Sequence, residues 1–208
     1  MAITKEMMEE DMALILEMGA NTIRLAHYQH AQAFYDLCDE KGVVIWAEIP
    51  YITMHMHNGR ANTLTQMEEL IVQNYNHPCI CLGLSNEITA ASAVNEELLE
   101  NHRALNELAH RLDPTRPTTM ANVFMLEITS PILEIPDVNS YNLYFGWYLG
   151  ELDQNDDFLT PTTPNTRTAA SDFRSTARTP TPPTRAPTPK RATIPKPTSA
   201  SITSTWQK

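Results

Sequence analysis

The sequence predicts an α/β fold in which parallel strands alternate with helices, followed by a tail that does not fold. Short apolar runs alternate with longer amphipathic segments over residues 1–159. Strands that alternate with helical patterns indicate a parallel sheet with helical crossovers. Several of the runs are continuously apolar, as in strands buried on both faces. From residue 160 onward the composition changes abruptly.

The two segments differ in charge and in apolar content. Residues 1–159 hold 24 Asp and Glu against 7 Lys and Arg, whereas residues 160–208 hold 8 Lys and Arg against one acid, Asp172. The second segment also carries 9 of the 15 prolines and no glycine. It cannot bury enough apolar surface to offset the entropy lost on ordering. We therefore expect a folded domain over residues 1–159 and a disordered, Thr/Pro-rich tail over residues 160–208.

Composition excludes several classes of protein. No apolar run approaches the ~20 residues needed to span a bilayer, and the acidic folded part disfavours nucleic acid as a partner. Cys38, Cys79 and Cys81 form neither a CxxC motif nor a zinc-ligand set. Cys79 and Cys81 lie on one face of a predicted strand, where we expect small buried side chains. No signal peptide is visible at the N-terminus. Together with reduced thiols, this predicts a cytoplasmic protein.

The helices are predicted from apolar spacing and from residues that begin or end helices. Thr4 is expected to cap the first helix, with Gly19 just past its end, and Gly42 is expected to stop the second. The predicted helices are Thr4–Met18, Gln32–Lys41, Leu64–Asn76 and Asn95–Leu112. The apolar side of the last helix consists of Leu98, Leu99, Leu105, Leu108 and Ala109.

Five strands are predicted between and after these helices. Three are clear (Thr22–Ala26, Val43–Ala47 and Ile80–Leu84) and two are weaker (Pro117–Ala121 and Val138–Tyr141). Both an open doubly wound sheet and part of a (β/α)₈ barrel fit this count. No G-x-G-x-x-G or G-x-x-x-x-G-K motif follows a strand, which weakens the nucleotide-binding forms of the open sheet.

Polar and aromatic residues stand at the ends of the predicted strands, where a barrel places its chemistry. They are Arg24, His27, Tyr28, Glu48, Tyr51, Ser85, Asn86, Glu87, Asn142, Tyr144, Trp147 and Tyr148, and Pro50 also follows the second strand. A carboxylate beside an amide, with aromatic rings and a histidine nearby, is typical of a sugar site, because sugars present hydroxyls in the ring plane and C–H groups on its faces. Each residue also has a structural interpretation. Glu48 or Glu87 could cap a helix, Arg24 could belong to a buried ion pair, and the aromatic rings could belong to the core.

Three segments resemble glycoside hydrolase family 2. The stretch 21–28, Asn-Thr-Ile-Arg-Leu-Ala-His-Tyr, resembles the first signature of that family. The stretch 76–87, which ends Leu-Ser-Asn-Glu, resembles the second signature, which contains the acid/base glutamate. The stretch 142–148 resembles a later strand-end segment. The resemblance covers residues 3–157 in family order, and it implies a partial TIM (β/α)₈ barrel.

The resemblance also implies a mechanism and a set of roles. Family members retain configuration with two carboxylates ~5–5.5 Å apart. Glu87 would be the general acid/base, and Asn86 would hold the sugar 2-hydroxyl. Arg24 would support the carboxylate pair, His27 and Trp147 would line the sugar subsite, and Tyr144 would contact the nucleophile.

The substrate implied by the resemblance is a carbohydrate, first a terminal β-galactoside and alternatively a β-glucuronide. Intact relatives often use Mg²⁺ or Na⁺ and often form oligomers. We find no convincing ligand cluster for a metal in this chain, and we expect no cofactor and no oligomer of the fragment itself.

Two departures from the family pattern bear on the site. Gln29 stands where the family has proline. The family also has a tryptophan between the apolar triplet and the glycine of the second signature, whereas here Leu82 directly precedes Gly83. A residue lost inside a strand reverses the facing of side chains on one side unless a bulge absorbs the change. The aim of Glu87 therefore depends on a bulge.

The second catalytic carboxylate is missing from this sequence. The family places its nucleophile after the next strand, typically within Ser-Glu-Tyr-Gly, and no such motif occurs. A reading frame that slipped by one base near Leu159 explains this, because the codons for residues 173–177 permit Ser-Glu-Tyr-Gly in the shifted frame. The other interpretation is a real Thr/Pro-rich linker or stalk.

These observations predict a fragment of a retaining β-galactosidase that is inactive alone. The alternatives are a β-glucuronidase-like fragment and a noncatalytic α/β interaction module with a basic disordered tail.

Overall fold

The computed structural model describes residues 3–86, 94–127, 129–146, 148 and 150–154. The chain divides into two units, Met1–Phe173 and Arg174–Lys208, and every described residue lies in the first. The predicted boundary at residue 159 and the predicted disorder of the tail lie outside the described residues, so both stay predictions.

Helices and strands alternate through the described chain. The helices are α1 (Lys5–Glu17), α2 (Gln32–Lys41), α3 (Arg60–Gln73) and α4 (Glu96–Leu112). The strands are β1 (Thr22–Leu25), β2 (Val44–Glu48), β3 (Ile80–Asn86), β4 (Thr118–Val123) and β5 (Val138–Asn142), and a 3₁₀ helix (Pro131–Glu134) lies between β4 and β5. The predicted α/β alternation is confirmed.

The strands form one parallel sheet in the order β1-β2-β3-β4-β5. Each strand therefore pairs with its neighbour in sequence, and β1 and β5 are the edges. Because all strands run the same way, their carboxyl ends lie at one end of the sheet. The residues predicted to form the site follow these carboxyl ends.

The predicted helix boundaries arise from capping side chains and glycines. The Thr4 Oγ1 accepts a hydrogen bond from the Met7 N–H at 3.3 Å, so Thr4 caps α1 as predicted. Gly19 has φ +78° and Gly42 has φ +69°, and both stand at helix ends where an L side chain would be strained. Helix α3 begins at Arg60, four residues before the predicted start, because its first turn is polar and lies outside the apolar period.

The core lies between the sheet and the helices. All five residues predicted for the apolar side of α4 are buried. They pack in one cluster with the sheet residues Ile45, Leu82 and Leu84 and with Met67 and Leu70 of α3. Within the described residues, no helix is both long enough and apolar enough to cross a membrane.

Strand β3 contains the bulge on which the aim of Glu87 was predicted to depend. Leu82 and Gly83 pair with Thr118 and Thr119, but Asn86 pairs with Ala121. Strand β3 thus advances three residues where β4 advances two. A one-residue bulge reverses the alternation of side chains, as a one-residue deletion does, so this is the kind of change that the prediction required. Glu87 itself lies outside the described residues, so its aim stays a prediction.

The amino end of the sheet is held by a network around Asp39 and His77. The Asp39 carboxylate accepts hydrogen bonds from the Cys79 N–H at 3.1 Å and contacts the His77 Nδ1 at 2.6 Å. The His77 Nε2 lies 3.2 Å from the Gln32 Oε1. Cys79 is buried, and burial raises the pKa of its thiol, as expected for a small apolar core residue. Cys81 is less deeply buried.

A second network at the same end joins Asp113 to Arg116. Asp113 Oδ1 accepts from the Thr115 N–H at 2.9 Å, and Asp113 Oδ2 accepts from Arg116 Nη1. Arg116 Nη2 donates to the carbonyls of Tyr75 at 2.8 Å and His77 at 2.7 Å. The two networks therefore fix the turn that leads into β3.

Candidate active site at the carboxyl ends of the strands

The centre of the candidate site is an arginine bonded to residues from two other strands. Arg24 of β1 donates through Nε to the Glu48 Oε1 at the end of β2, and through Nη1 to the Asn142 Oδ1 at the end of β5, at 2.5 Å. The Arg24 side chain is 10% exposed and that of Glu48 is 0% exposed. The Arg24 guanidinium also lies over the Trp46 ring, 4.6 Å from its centroid. The ion-pair interpretation of Arg24 is therefore correct, and Glu48 caps no helix.

The bond between Arg24 and Asn142 distinguishes between the two folds that fit the strand count. These residues belong to opposite edges of a five-stranded sheet. In a flat sheet, strands four positions apart are about 19 Å from one another, well beyond the reach of an arginine side chain. The sheet must therefore curve strongly, as part of a barrel does, so that its edges face each other across the interior.

His27 joins this cluster from the loop after β1. The His27 Nδ1 lies 3.5 Å from the Glu48 Oε2, and the imidazole is half exposed. Of the residues predicted for the site, Arg24 and His27 are therefore brought together on one carboxylate. Glu48 and Asn142 were recognised as strand-end residues but were given no role. The signal for Glu48 was that it is the polar residue directly after the apolar run Val43–Ala47. Asn142 gave no such signal, because its strand already contains Asn139 and Ser140.

The structure describes the other predicted site residues only in part or not at all. Asn86 ends β3, and only its backbone is described. Tyr144 follows β5 and contacts the Tyr148 ring edge-on, with 5.1 Å between centroids. Glu87 and Trp147 lie outside the described residues. The predicted roles of all the site residues stay predictions, namely catalysis for Glu87 and substrate binding for Asn86, Arg24, His27, Tyr144 and Trp147.

Several buried polar atoms near the cluster have no hydrogen-bond partner. Within the described part of the chain they include Arg24 Nη2, Glu48 Oε2, His30 Nε2 and His55 Nε2. Two of them have a longer contact with a charged or ionisable group, because His27 Nδ1 lies 3.5 Å from Glu48 Oε2 and Glu97 Oε1 lies 3.5 Å from His55 Nε2. His30 follows β1 and His55 follows β2, so all four atoms lie toward the carboxyl ends of two neighbouring strands. Buried polar groups are nearly always paired, and an unpaired one indicates a missing ligand, water or catalytic role.

The loop between β2 and α3 carries a second polar cluster. The Tyr51 hydroxyl lies 2.6 Å from the His55 Nδ1, and burial raises the pKa of Tyr51 to about 12. His102 of α4 packs against the Tyr51 ring, and burial lowers the pKa of this histidine to about 4. His57 lies 2.6 Å from the Glu97 Oε1, and this hydrogen bond lowers the pKa of Glu97. The cluster holds the β2–α3 loop against the start of α4.

Gly83 makes room for the central cluster. A Cβ at this position would lie 2.8 Å from both the Ala47 carbonyl oxygen and the Glu48 Cγ, and closer still to the Trp46 indole nitrogen. No side chain fits in that space. The absence of a side chain on β3 therefore permits Glu48 to sit buried beside Arg24.

No metal site is evident in the ranges that the structure describes, since no group of three or more His, Cys, Asp or Glu there could hold an ion. The prediction that this chain needs no metal or cofactor stays a prediction.

Comparison with known proteins decides the family. Residues 1–168 match the model of the glycosyl hydrolases family 2 TIM barrel domain. The chain belongs to glycosyl hydrolase family 2. This match confirms the predicted partial TIM barrel, in agreement with the curvature required by the Arg24–Asn142 bond. The first and second signatures therefore identify the family correctly.

The family 2 relatives include enzymes named for different sugars. A β-glucuronidase of Bacteroides fragilis is 43% identical over 150 residues, which cover 67% of this chain and 21% of that protein. A β-galactosidase of Thermoanaerobacter pseudethanolicus is 34% identical over 105 residues, 49% of this chain and 13% of that protein.

A solved structure is also similar to this chain. The FMN-binding β-glucuronidase of Facaelibacterium prausnitzii L2-6 is 48% identical with a TM-score of 0.71, over 75% of this chain and 25% of that one. The chain thus spans about a fifth to a quarter of the length of these two glucuronidases.

Proposed function

We propose that this chain is the catalytic-barrel portion of a retaining β-glycosidase whose substrates are β-glucuronides. The observation that carries the proposal is the buried Arg24–Glu48–Asn142 cluster, in which Arg24 Nη2 and Glu48 Oε2 have no hydrogen bond. A sugar has many hydroxyls that can donate and accept, so it suits a site with unpaired donors and acceptors close together. In a barrel, this end of the sheet is where substrates bind.

The choice of sugar depends on the relatives. The glucuronidases of B. fragilis and F. prausnitzii are 43% and 48% identical, whereas the T. pseudethanolicus galactosidase is 34% identical over a shorter stretch. This supports a β-glucuronide better than the β-galactoside expected first from the sequence. A β-galactoside is the second candidate, favoured by the likeness to that galactosidase.

The proposed mechanism gives Glu87 two successive roles. It first donates its proton to the leaving glycosidic oxygen while a second carboxylate attacks C1 and forms a glycosyl ester. Glu87 then takes a proton from water, which attacks C1 and releases the sugar with retained configuration. Arg24 donates to the buried Glu48 carboxylate, and its Nη2, which has no hydrogen bond, is available to a further acceptor. The second carboxylate belongs to the segment that we propose is read out of frame after residue 159.

Without that carboxylate the covalent step has no nucleophile. We therefore expect the 208-residue chain to hydrolyse neither 4-nitrophenyl β-glucuronide nor 4-nitrophenyl β-galactoside. Turnover by the purified chain that is abolished by Glu87→Gln would contradict the missing-nucleophile part of the proposal.

The test of the function is the nucleotide sequence around codon 159 and its flanks. If the shifted frame continues through Ser-Glu-Tyr-Gly without a stop, the complete gene with that frame restored should encode a glycosidase. We expect its kcat/KM to be higher for the glucuronide than for the galactoside. The reverse preference would favour the second candidate. A shifted frame interrupted by stops would instead favour the noncatalytic interaction module.

A further inference from the structure

Helix α1 carries three large apolar side chains that are both exposed and aligned. Met7 is 42% exposed, Leu14 is 55% exposed and Met18 is 72% exposed. They stand at positions i, i+7 and i+11, which a helix with about 3.6 residues per turn places within about 40° of one another. Met18 keeps the αR backbone conformation at the end of α1, so it continues this spacing. We call these three side chains the α1 ridge.

The α1 ridge is separate from the side of α1 that packs into the core. Met12 is buried and belongs to the core cluster. It comes after Met7 in the sequence by a helical rotation of about 140°. Helix α1 is therefore apolar on two sides. A single exposed apolar residue is ordinary, but a row along one helix face is typical of a surface that another element covers.

The α1 ridge faces away from the neighbouring helix. Helix α2 packs against α1. The pKa of Lys41 on α2 is raised first by its hydrogen bond to Glu40 and further by the charge of Glu9 on α1, so Glu9 lies on the flank toward α2. Glu9 stands about 160° from Met7 around the helix. Because α2 connects β1 to β2, the ridge lies on the other flank, beside the outer edge of β1.

A helix is the element that fits this flank. In a closed (β/α)₈ barrel each helix packs between two neighbouring helices, whereas the exposure of the α1 ridge shows that this flank is uncovered in the described chain. From Met7 to Met18 the ridge is about 16 Å long, so about three turns of a partner helix would cover it. Rows of side chains of this kind pack into the grooves of a facing helix.

Acidic side chains accompany the α1 ridge. Asp11 lies within the row, because a spacing of four residues from Met7 returns to the same helix face. Glu10 and Glu17 stand directly beside the row, and all three acids are exposed. A second copy of this chain would bring the same acids together across the contact, where like charges repel. A helix with Lys or Arg beside its apolar row would pair with them instead.

We propose that the α1 ridge is a docking surface for an amphipathic helix of another polypeptide, in which Lys or Arg stands beside the apolar row. Apolar contact supplies most of the affinity, and the three acids disfavour a second copy of this chain and favour a cationic helix. This surface lies outside the candidate active site, and the proposal does not depend on the proposed function.

A synthetic peptide of leucine and lysine, about four helical turns long with its leucines on one face, tests the proposal. We expect the fluorescein-labelled peptide to bind the purified 208-residue chain saturably, as measured by fluorescence anisotropy. A peptide of the same composition with its leucines spread around the helix carries the same charge but has no apolar face. It should bind at least about tenfold more weakly.

Substitution of the ridge methionines locates the binding surface. Met7→Gln/Met18→Gln should weaken binding of the one-faced peptide about tenfold, because apolar contact is lost. The matched control is Met54→Gln/Met56→Gln, which makes the same change on two exposed methionines of the β2–α3 loop. It should leave binding unchanged. Circular dichroism verifies that both variants fold.

Substitution of the acids tests the choice of partner. Glu10→Gln/Glu17→Gln should weaken binding about threefold and reduce its dependence on salt, because exposed charge pairs contribute modestly and are screened. The control is Glu68→Gln/Glu69→Gln, which removes the same charge from exposed positions on α3 and should leave both quantities unchanged.

Several results would overturn the proposal. They are absence of saturable binding, equal binding of the two peptides, and equal weakening by the ridge variant and its methionine control. Sedimentation of the chain alone tests the competing occupant. A dimer that dissociates on Met7→Gln/Met18→Gln would assign the α1 ridge to a second copy of this chain and would likewise overturn the proposal.

Discussion

The two ends of the sheet both carry buried or half-buried carboxylates paired with cations or imidazoles, but they differ in how completely these groups are bonded. At the amino end, both carboxylate oxygens of Asp39 and of Asp113 have partners, and Arg116 joins them to the turn before β3. At the carboxyl end, Arg24 and Glu48 each retain a buried atom with no hydrogen bond. The other such atoms named above, on His30 and His55, lie on the loops that leave β1 and β2.

This difference separates a structural network from a candidate binding site. A fully bonded polar network rigidifies the chain and needs nothing further. An incompletely bonded one has a desolvation cost that a ligand can remove. Barrel enzymes divide the same roles between the same two ends. The bonding pattern thus favours the carboxyl end as the candidate site, independently of any likeness to relatives.

The largest expected effect comes from separating the buried ion pair. Arg24→Met leaves the Glu48 carboxylate buried without its cation, so we expect a loss of about 3–5 kcal/mol in the free energy of unfolding by urea. The double variant Arg24→Met/Glu48→Met removes the uncompensated charge and should recover most of that loss. A single variant that costs less than about 1 kcal/mol would mean that another group compensates Glu48.

Filling the space at Gly83 should have the next largest effect. Gly83→Ala places a Cβ against the Ala47 carbonyl and Glu48, so we expect a loss of about 1–3 kcal/mol and a shifted fluorescence spectrum of the adjacent Trp46. The control is Gly19→Ala, where φ is positive but no atom lies within 4 Å. That variant should cost about 1 kcal/mol without a spectral change. Equal spectra for both variants would contradict the close approach of β3 to Trp46.

Two histidines test whether burial determines how much a histidine–carboxylate contact contributes to stability at each end of the sheet. The His77–Asp39 and His57–Glu97 contacts are both 2.6 Å long, but His77 is largely buried and His57 is exposed. We expect His77→Gln to cost about 1–2 kcal/mol and His57→Gln to leave the urea midpoint unchanged. Similar losses for both variants would show that the amino-end network is not the stronger one.

The smallest effect should appear only in acid. Burial raises the pKa of Asp39 and Asp113, but hydrogen bonds to their carboxylates outweigh it, so both pKa values lie below the ordinary range. Their contribution to stability is therefore present above the unfolded-state pKa of about 4 and is lost as pH falls through the folded values. Asp39→Asn/Asp113→Asn should flatten the dependence of the urea midpoint on pH below about pH 4.

The control for this prediction is Asp36→Asn, which changes an exposed acid on the same helix as Asp39. It should retain the pH slope of the unmodified chain. A double variant at Asp39 and Asp113 that keeps the slope would show that other carboxyl groups control acid unfolding.

Local features of the fold could be predicted because local chemistry determines them. The cap at Thr4, the helix stop at Gly42 and the buried side of α4 all follow from residues near in sequence. The start of α3 was misplaced because the polar turn from Arg60 to Thr63 hides the apolar period. The sequence predicted only that the aim of Glu87 requires a bulge in β3. It could not show that the bulge is present, since the register depends on the partner strand β4.

The candidate site was predictable in its composition but not in its bonding. Strand ends identified Arg24, His27 and Glu48 as neighbours at one end of the sheet. The pairing of Arg24 with Asn142 could not be predicted, because these residues are 118 positions apart and meet only across a curved sheet. Periodicity shows which residues face inward, but it does not show how far the strands bend toward each other.

The Arg24–Asn142 bond closes a ring that includes every strand. Slippage in any of the four ladders between β1 and β5 changes the separation of those two side chains, because they stand on the outermost strands. A single distance, measured between spectroscopic labels at neighbouring positions on β1 and β5, would therefore report on the integrity of the entire five-stranded sheet.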